Sequence, residues 1–442
     1  MKQKRIFSKG YNYWNEALKL IPGGNSILSK RPERYASQKW PTYFSKSRGC
    51  RVWDLEGNIF VDMAQMGIGS STLGYSNKYV NDEVKKIITK GINTTLNAPE
   101  EVELAKKLIK LNPGFGGVKF CRSGGEAMAV AVRIARCFQS KKQKIMFSGY
   151  HGWLDWYLAT NLANKRNLNE HLLEGLSPSG VYPGLAKSIF PFKYDNPKDF
   201  LKVIKKNKNV GIVIIESVRY NYPSKEFVNT INNFCKKNKL ILICDEITSG
   251  FRICNSGAYK LIGFKPDIVV YGKGLGNGFA ISAIVGKSKI MKNSINTFIS
   301  SSNWSERVGF VAANKTLEYF RKKKVWKHLN QMGILISNGW KSIFSELNLN
   351  ISVSNFLPLV TMKPNYGELN NYILTYFIED MLKKKYLASS SVYISHAHTK
   401  KIVLKYLKDC RNTFKKISIL LKNGKIKNSL KTNLRTDAFQ RL

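Results

Sequence analysis

Lys273 stands alone between an apolar run, Val269-Val270-Tyr271, and a glycine-rich turn from Gly272 to Gly278. Asp245 closes a second apolar run, Ile241-Leu242-Ile243-Cys244, 28 positions upstream. A lysine desolvated at a strand end can lose its proton near neutral pH and form a Schiff base with a carbonyl. A buried carboxylate needs a partner, and a protonated ring nitrogen is one. Together the two residues match what pyridoxal phosphate (PLP) requires. The lysine anchors it, and the acid keeps its pyridine nitrogen protonated so that the ring serves as an electron sink.

Two further segments extend this set. Ser123-Gly124-Gly125-Glu126-Ala127 falls between a short strand pattern and a helix pattern rich in Ala and Val. Free amides at such a helix start suit a phosphate, although an ordinary strand–helix turn has the same pattern. Tyr150 lies between Gly149 and His151-Gly152, and an aromatic so flanked can lie flat on a planar ring or simply join the core. Glu246, beside Asp245, is expected to serve a structural hydrogen bond. Phosphate cradle, ring stack, nitrogen partner and amine occur in that chain order, and the conjunction is more specific than any one of them.

The elements that must position these residues are legible as alternation. Strand patterns at Val118–Phe120, Lys144–Phe147, Gly211–Glu216, Leu240–Asp245, Ile268–Tyr271 and Ala283–Val285 interleave with helix patterns at 99–110, 125–139, 196–207 and 226–238. This predicts an α/β fold, a mostly parallel sheet covered by helices, with ligands at the strands' carboxyl ends. The expected organisation is an N-terminal segment at 1–65 contributing to a small domain, a large cofactor-binding domain at 66–305, a C-terminal small α+β domain at 306–400, and a basic helical tail at 401–442. Alternation around Glu56-Gly57-Asn58 predicts a hairpin.

Composition narrows the class. With 442 residues, 43% of them hydrophobic, the chain can bury a large core and is not a disordered protein. None of the seven cysteines forms a Cys-x-x-Cys pair, and the five histidines fall at no zinc spacing, so reduced thiols and no metal are expected. The basic start is not followed by the apolar stretch of a signal peptide, and no run of about 18 apolar residues exists. The cytoplasm is therefore the expected compartment, with no membrane association. The net charge of +43 comes from lysines spread along the whole chain. It implies nonspecific attraction to polyanions and no dedicated nucleic-acid surface.

Ser123-Gly124-Gly125-Glu126-Ala127, Gly149-Tyr150-His151-Gly152, Asp245-Glu246-Ile247-Thr248-Ser249-Gly250-Phe251-Arg252 and Pro266-Asp267-Ile268-Val269-Val270-Tyr271-Gly272-Lys273 resemble the class III PLP-dependent aminotransferases. Within that family the glutamate-1-semialdehyde 2,1-aminomutase branch is the nearest in pattern. The resemblance extends over roughly residues 15 to 415. It implies a fold-type I transferase in a homodimer with shared active sites. Lys273 would be the internal-aldimine lysine and proton shuttle, Asp245 the partner of the pyridine nitrogen, Ile247 the residue under the ring and Tyr150 the stacking aromatic. Ser123, Gly124 and Gly125 would cradle the phosphate, joined by a hydroxyl from the neighbouring subunit, Ser302.

The chain also departs from the family pattern. Gly125 replaces a usual threonine, Ser305-Glu306-Arg307 a usual Gly-Asn-Pro, and Ser390 a substrate-contacting glutamate of the aminomutases. Three readings follow. The first is amino-group transfer from a small amino donor to a carbonyl acceptor. There Asn303-Trp304-Ser305-Glu306-Arg307 resembles a subgroup making amino sugars for surface polysaccharides. The second is the aminomutase, forming 5-aminolevulinate. The third is a non-catalytic nucleic-acid-binding or scaffold protein on a PLP fold.

Overall fold

The computed structural model describes residues 8–171 and 174–436. The first seven residues of the N-terminal segment and the last six of the basic tail lie outside it. The chain forms two compact units, Lys78–Lys327 and a second built from both chain ends, Met1–Asn77 with His328–Leu442.

In the unit Lys78–Lys327, seven strands form one sheet. Its order is Gly117–Cys121, Ser282–Gly286, Ile268–Tyr271, Ile241–Asp245, Val210–Glu216, Lys144–Ser148 and Ile189–Pro191. Only Ser282–Gly286 runs antiparallel to its neighbours. The strands Val210–Glu216, Ile241–Asp245 and Ile268–Tyr271 are buried at every residue. That is why their sequences are unbroken apolar runs and not alternating ones. The helix Gly124–Gln139 lays Ala127, Met128, Ala131, Ile134 and Ala135 on this sheet. The strand Ile189–Pro191 is the one that pattern does not announce. It is three residues long and ends in proline, which a sheet tolerates only at its edge, where this strand lies.

This unit runs past the expected boundary at 305 because the helix Arg307–Lys322 is tied into it. Arg307 forms a two-pronged ion pair with Glu100 at 2.9 and 2.8 Å, and Tyr79 donates to Glu318 at 2.6 Å. Its start at Lys78 likewise leaves residues 66–77 in the other unit.

That other unit holds the predicted hairpin, Arg51–Asp54 against Ile59–Met63. Asp54 secures its turn by accepting from the Glu56 and Asn58 amides at 3.1 and 2.7 Å. Tyr386–Ala388, more than 300 residues later, pairs in parallel with Ile59–Met63. The helix Lys400–Lys422 buries Val403, Tyr406, Cys410, Phe414 and Ile417 along one face and leaves Leu404 and Ile419 exposed on the other. The helix stops at Asn423-Gly424, where Gly424 takes φ +64°. Beyond it the chain is not the expected continuous helix: Lys431, Thr432 and Arg435 are tied to Glu379 and Thr375.

Among the described residues no helix is long and apolar enough to cross a membrane.

Candidate active site

Four strands and the helix Gly124–Gln139 bring the sequence-predicted residues of the large unit to one edge of the sheet. Asp245 is the last residue of its strand, Lys273 follows Tyr271 by two, Tyr150 follows Ser148 by two, and Gly124 opens its helix.

Lys273 takes φ +43°, a left-handed conformation that a non-glycine residue adopts at a cost. The turn turns the side chain inward, and its Nζ donates to Thr248 Oγ1 at 2.8 Å. Arg252, almost fully buried, fixes Thr248 by donating from Nε to its carbonyl at 2.6 Å. Burial pushes the Lys273 amine down to about 8; the Glu216 carboxylate opposes that shift and the Arg252 charge adds to it.

Asp245 is 3% exposed. Its Oδ1 accepts the Ile247 amide at 3.0 Å, and its Oδ2 lies 2.8 Å from His151 Nδ1. The other ring nitrogen of His151, Nε2, is buried without a hydrogen-bond partner among the described residues. Glu246, its neighbour in sequence, faces the opposite task. It accepts from Ser249 Oγ, Ala258 N and Tyr259 N at 2.6, 2.9 and 2.7 Å, which is the structural hydrogen bonding expected of it.

Ile247 fits between two glycines. A Cβ on Gly124 would meet its Cδ1 at 2.9 Å, and one on Gly272 its Cγ2 at 3.4 Å. A branched aliphatic side chain is thereby set beside both the helix start and the lysine turn. Ser123 caps the helix. Its amide and hydroxyl donate to Glu126 Oε2 at 2.7 and 2.9 Å, and Oγ accepts the Glu126 amide at 3.4 Å. The cap uses the hydroxyl, so the amides of Gly124 and Gly125 are the groups left for an anion.

Tyr150 is half-buried, and its amide donates to Glu216 Oε2 at 2.9 Å. The same oxygen receives Arg219 Nη1 at 2.7 Å, while Arg219 Nη2 has no hydrogen-bond partner among the described residues. A cavity of about 400 Å3 opens here, bordered by Gly149, His171, Tyr194, Glu216, Arg219 and Tyr220. His151, Glu216, Arg219 and Thr248 are site residues that sequence reasoning passed over. For His151 a signal existed: it sits between Gly149 at φ +119° and Gly152 at φ +108°. Glycines forced at both ends of so short a segment mark a backbone held close to its neighbours.

Ser302 is not part of this cluster within the chain. It lies exposed on the turn Ser302–Ser305. Arg122 pins that loop by donating to the carbonyls of Asn303, Trp304 and Glu306, and Trp304 Nε1 donates to Glu126 at 3.3 Å. The Arg307 fork belongs to Glu100. These residues hold the loop and are not offered to a ligand.

The donor set fits PLP: a buried amine with depressed basicity, a buried carboxylate with two supports, an aliphatic side chain packed between two glycines, and free helix-start amides.

The comparisons agree with that fit. The family profile described as "Aminotransferase class-III" matches residues 34–349. The chain is 32% identical to the glutamate-1-semialdehyde 2,1-aminomutase of Nitrosopumilus maritimus (strain SCM1), over 87% of this chain and 94% of that protein. It is 27% identical to the 3-aminobutyryl-CoA aminotransferase of Cloacimonas acidaminovorans (strain Evry), over 90% and 95%. In fold it is similar to the PLP internal aldimine form of the Sphingopyxis sp. MTA144 FumI protein, with TM-score 0.84 and 20% identity over 96% of this chain and 99% of that one. A transaminase with PLP bound gives TM-score 0.83 and 23% identity over 94% and 99%. The chain belongs to the class III aminotransferase family and is a PLP-dependent enzyme of fold-type I, so the non-catalytic scaffold reading falls away.

Proposed function

We propose that this enzyme moves an amino group from a small amino donor to a carbonyl acceptor, with Lys273 as the group that takes and returns the proton. The carrying observation is the buried Lys273 amine, parked on Thr248 and poised near pH 8. A base with that pKa can accept a proton from a substrate carbon and give one back near neutrality. When bound, PLP supplies the electron sink that makes such a carbon acidic. Asp245, held by His151 and the Ile247 amide, would keep a proton on the ring nitrogen. Ile247 and Tyr150 would hold the cofactor ring, and the Gly124 and Gly125 amides would hold its phosphate.

The active unit is a homodimer in this reading, and Ser302 of one subunit serves the phosphate of the other. Leu96, Ile295 and Phe298, all within Lys78–Lys327, are each more than 80% exposed, as residues awaiting a partner would be. The cavity beside Arg219, with Tyr194, Tyr220 and Asn196 in its wall, mixes flat rings with hydrogen-bonding groups and suits a polyhydroxylated carbonyl acceptor of the sugar class.

A second reading, the aminomutase, is favoured by the 32% identity to a protein of that name. One assay separates the two. Purified PLP-loaded protein is given glutamate-1-semialdehyde, with Lys273→Ala as blank, and 5-aminolevulinate is measured. No product is expected, while amino acid donors convert the bound cofactor to its amine form. Product above the blank would establish the mutase and make Ser390 a tolerated replacement.

A further inference from the structure

We propose that the indole N–H of Trp153 binds the cofactor phosphate, in place of the hydroxyl that residue 125 lacks. The inference rests on the phosphate lying at Gly124 and Gly125, as proposed above.

Gly125 is the second residue of its helix, so its amide and that of Gly124 point out of the helix start without intrahelical acceptors. A Cβ built on Gly125 would meet only two atoms within 4 Å: Trp153 Nε1 at 3.2 Å and Cδ1 at 3.4 Å. The polar edge of the indole therefore faces the helix start. Gly152, at φ +108°, would place a Cβ 3.1 Å from Gly125 Cα, so the glycine there is what lets the segment carrying Trp153 close on the cradle.

The neighbouring hydroxyl is not available. Ser123 spends its O–H on Glu126 at 2.9 Å, and Ser282 spends its own on the Ser123 carbonyl at 2.9 Å. Trp153 Nε1 is a donor with no acceptor among the described residues, and the residue is 66% exposed. An indole has one N–H and nothing else polar to offer. A side chain on residue 125 and the Trp153 indole would compete for the same space. Glycine at one position and tryptophan at the other thus form a single arrangement, which supplies from 153 the donor that 125 gives up.

The test uses the full-length protein in equilibrium dialysis against PLP and, separately, against pyridoxal, which lacks the phosphate. Trp153→Phe is expected to raise the Kd for PLP about tenfold, the loss of one hydrogen bond to a charged group, and to leave pyridoxal affinity unchanged. Adding Gly125→Thr to that variant, where the smaller ring leaves space, is expected to recover most of the loss. Because Trp153 is exposed, Trp153→Phe should melt at the wild-type temperature. Unchanged PLP affinity, or equal weakening toward both ligands at that melting temperature, overturns the proposal. Wild-type protein that takes up PLP without any Lys273-dependent absorbance change would sink the broader reading instead, and is told apart by the Lys273→Ala spectrum.

Discussion

His151 Nδ1 and Asp245 Oδ2 lie 2.8 Å apart, with side-chain exposures of 0% and 4%. The pair joins two strand ends, and the Ile247 amide takes the other Asp245 oxygen. A carboxylate so placed is available to a ligand only along the direction its two supports leave open. Asp245→Asn is expected to lower kcat about 100-fold or more, the ~3 kcal/mol scale of one preorganised electrostatic group, with PLP content unchanged by absorbance. His151→Asn should move kcat in the same direction by less. Wild-type kinetics in both variants would place the nitrogen partner elsewhere.

Lys273 carries a pH signature. Only the neutral amine attacks a carbonyl, and burial brings this one down to about 8. In cofactor-stripped protein, the rate of covalent PLP attachment should rise about tenfold per pH unit below that value and level off above it. A midpoint near the ordinary lysine value of about 10.4 would mean an amine in water. Lys273→Ala should bind PLP noncovalently and show no turnover.

His171 links the site to acid stability. Its Nδ1 accepts the Gly149 amide at 3.1 Å. Burial, then the His151 and Arg219 charges, push its pKa down to about 3. The unfolded chain takes up this proton near pH 6.5 and the folded one does not until about 3, so stability is full above 6.5 and falls as pH drops through that window. The slope is at most about 1.4 kcal/mol per unit. His171→Gln removes the titration, and urea unfolding between pH 6 and 4 should then show a flatter pH dependence by about 1 kcal/mol per unit. Parallel slopes for the two proteins would contradict this.

Glu246 is a folding residue beside a chemical one. Burial raises its pKa, and the Ser249 hydroxyl with the Tyr259 and Ala258 amides works the other way. Glu246→Gln turns an NH2 toward donors that now lack an acceptor. A loss of about 2–4 kcal/mol is expected, read as a lower urea midpoint at unchanged PLP stoichiometry. A midpoint equal to wild type would show the three donors satisfied by other groups.

Much of the site could be read before any contact was known. Lys273, Asp245, Gly124 and Gly125 announce themselves because strand ends, glycines and helix starts leave marks at fixed chain offsets. Thr248 and Arg219 leave none. A threonine after a strand and an arginine after another are ordinary, and only the approach of Lys273 Nζ to Thr248 Oγ1 and of Arg219 to Glu216 gives them a part. The loop Asn303–Arg307 is likewise held by groups far off in the chain. Glu100 takes its arginine and Glu126 its tryptophan.

By itself the chain determined the alternation of buried strands and covering helices, the chemistry of an amine paired with an acid, and the family to which both belong. These follow from local rules: apolar runs for doubly covered strands, glycine where a side chain cannot fit, and acids at strand ends. Tertiary structure alone decided that His151 supports Asp245, that Lys273 rests on Thr248, and that Arg307 is held by Glu100. Each of these depends on which distant group arrives within about 3 Å, the reach of a hydrogen bond, and separations along the chain do not encode that.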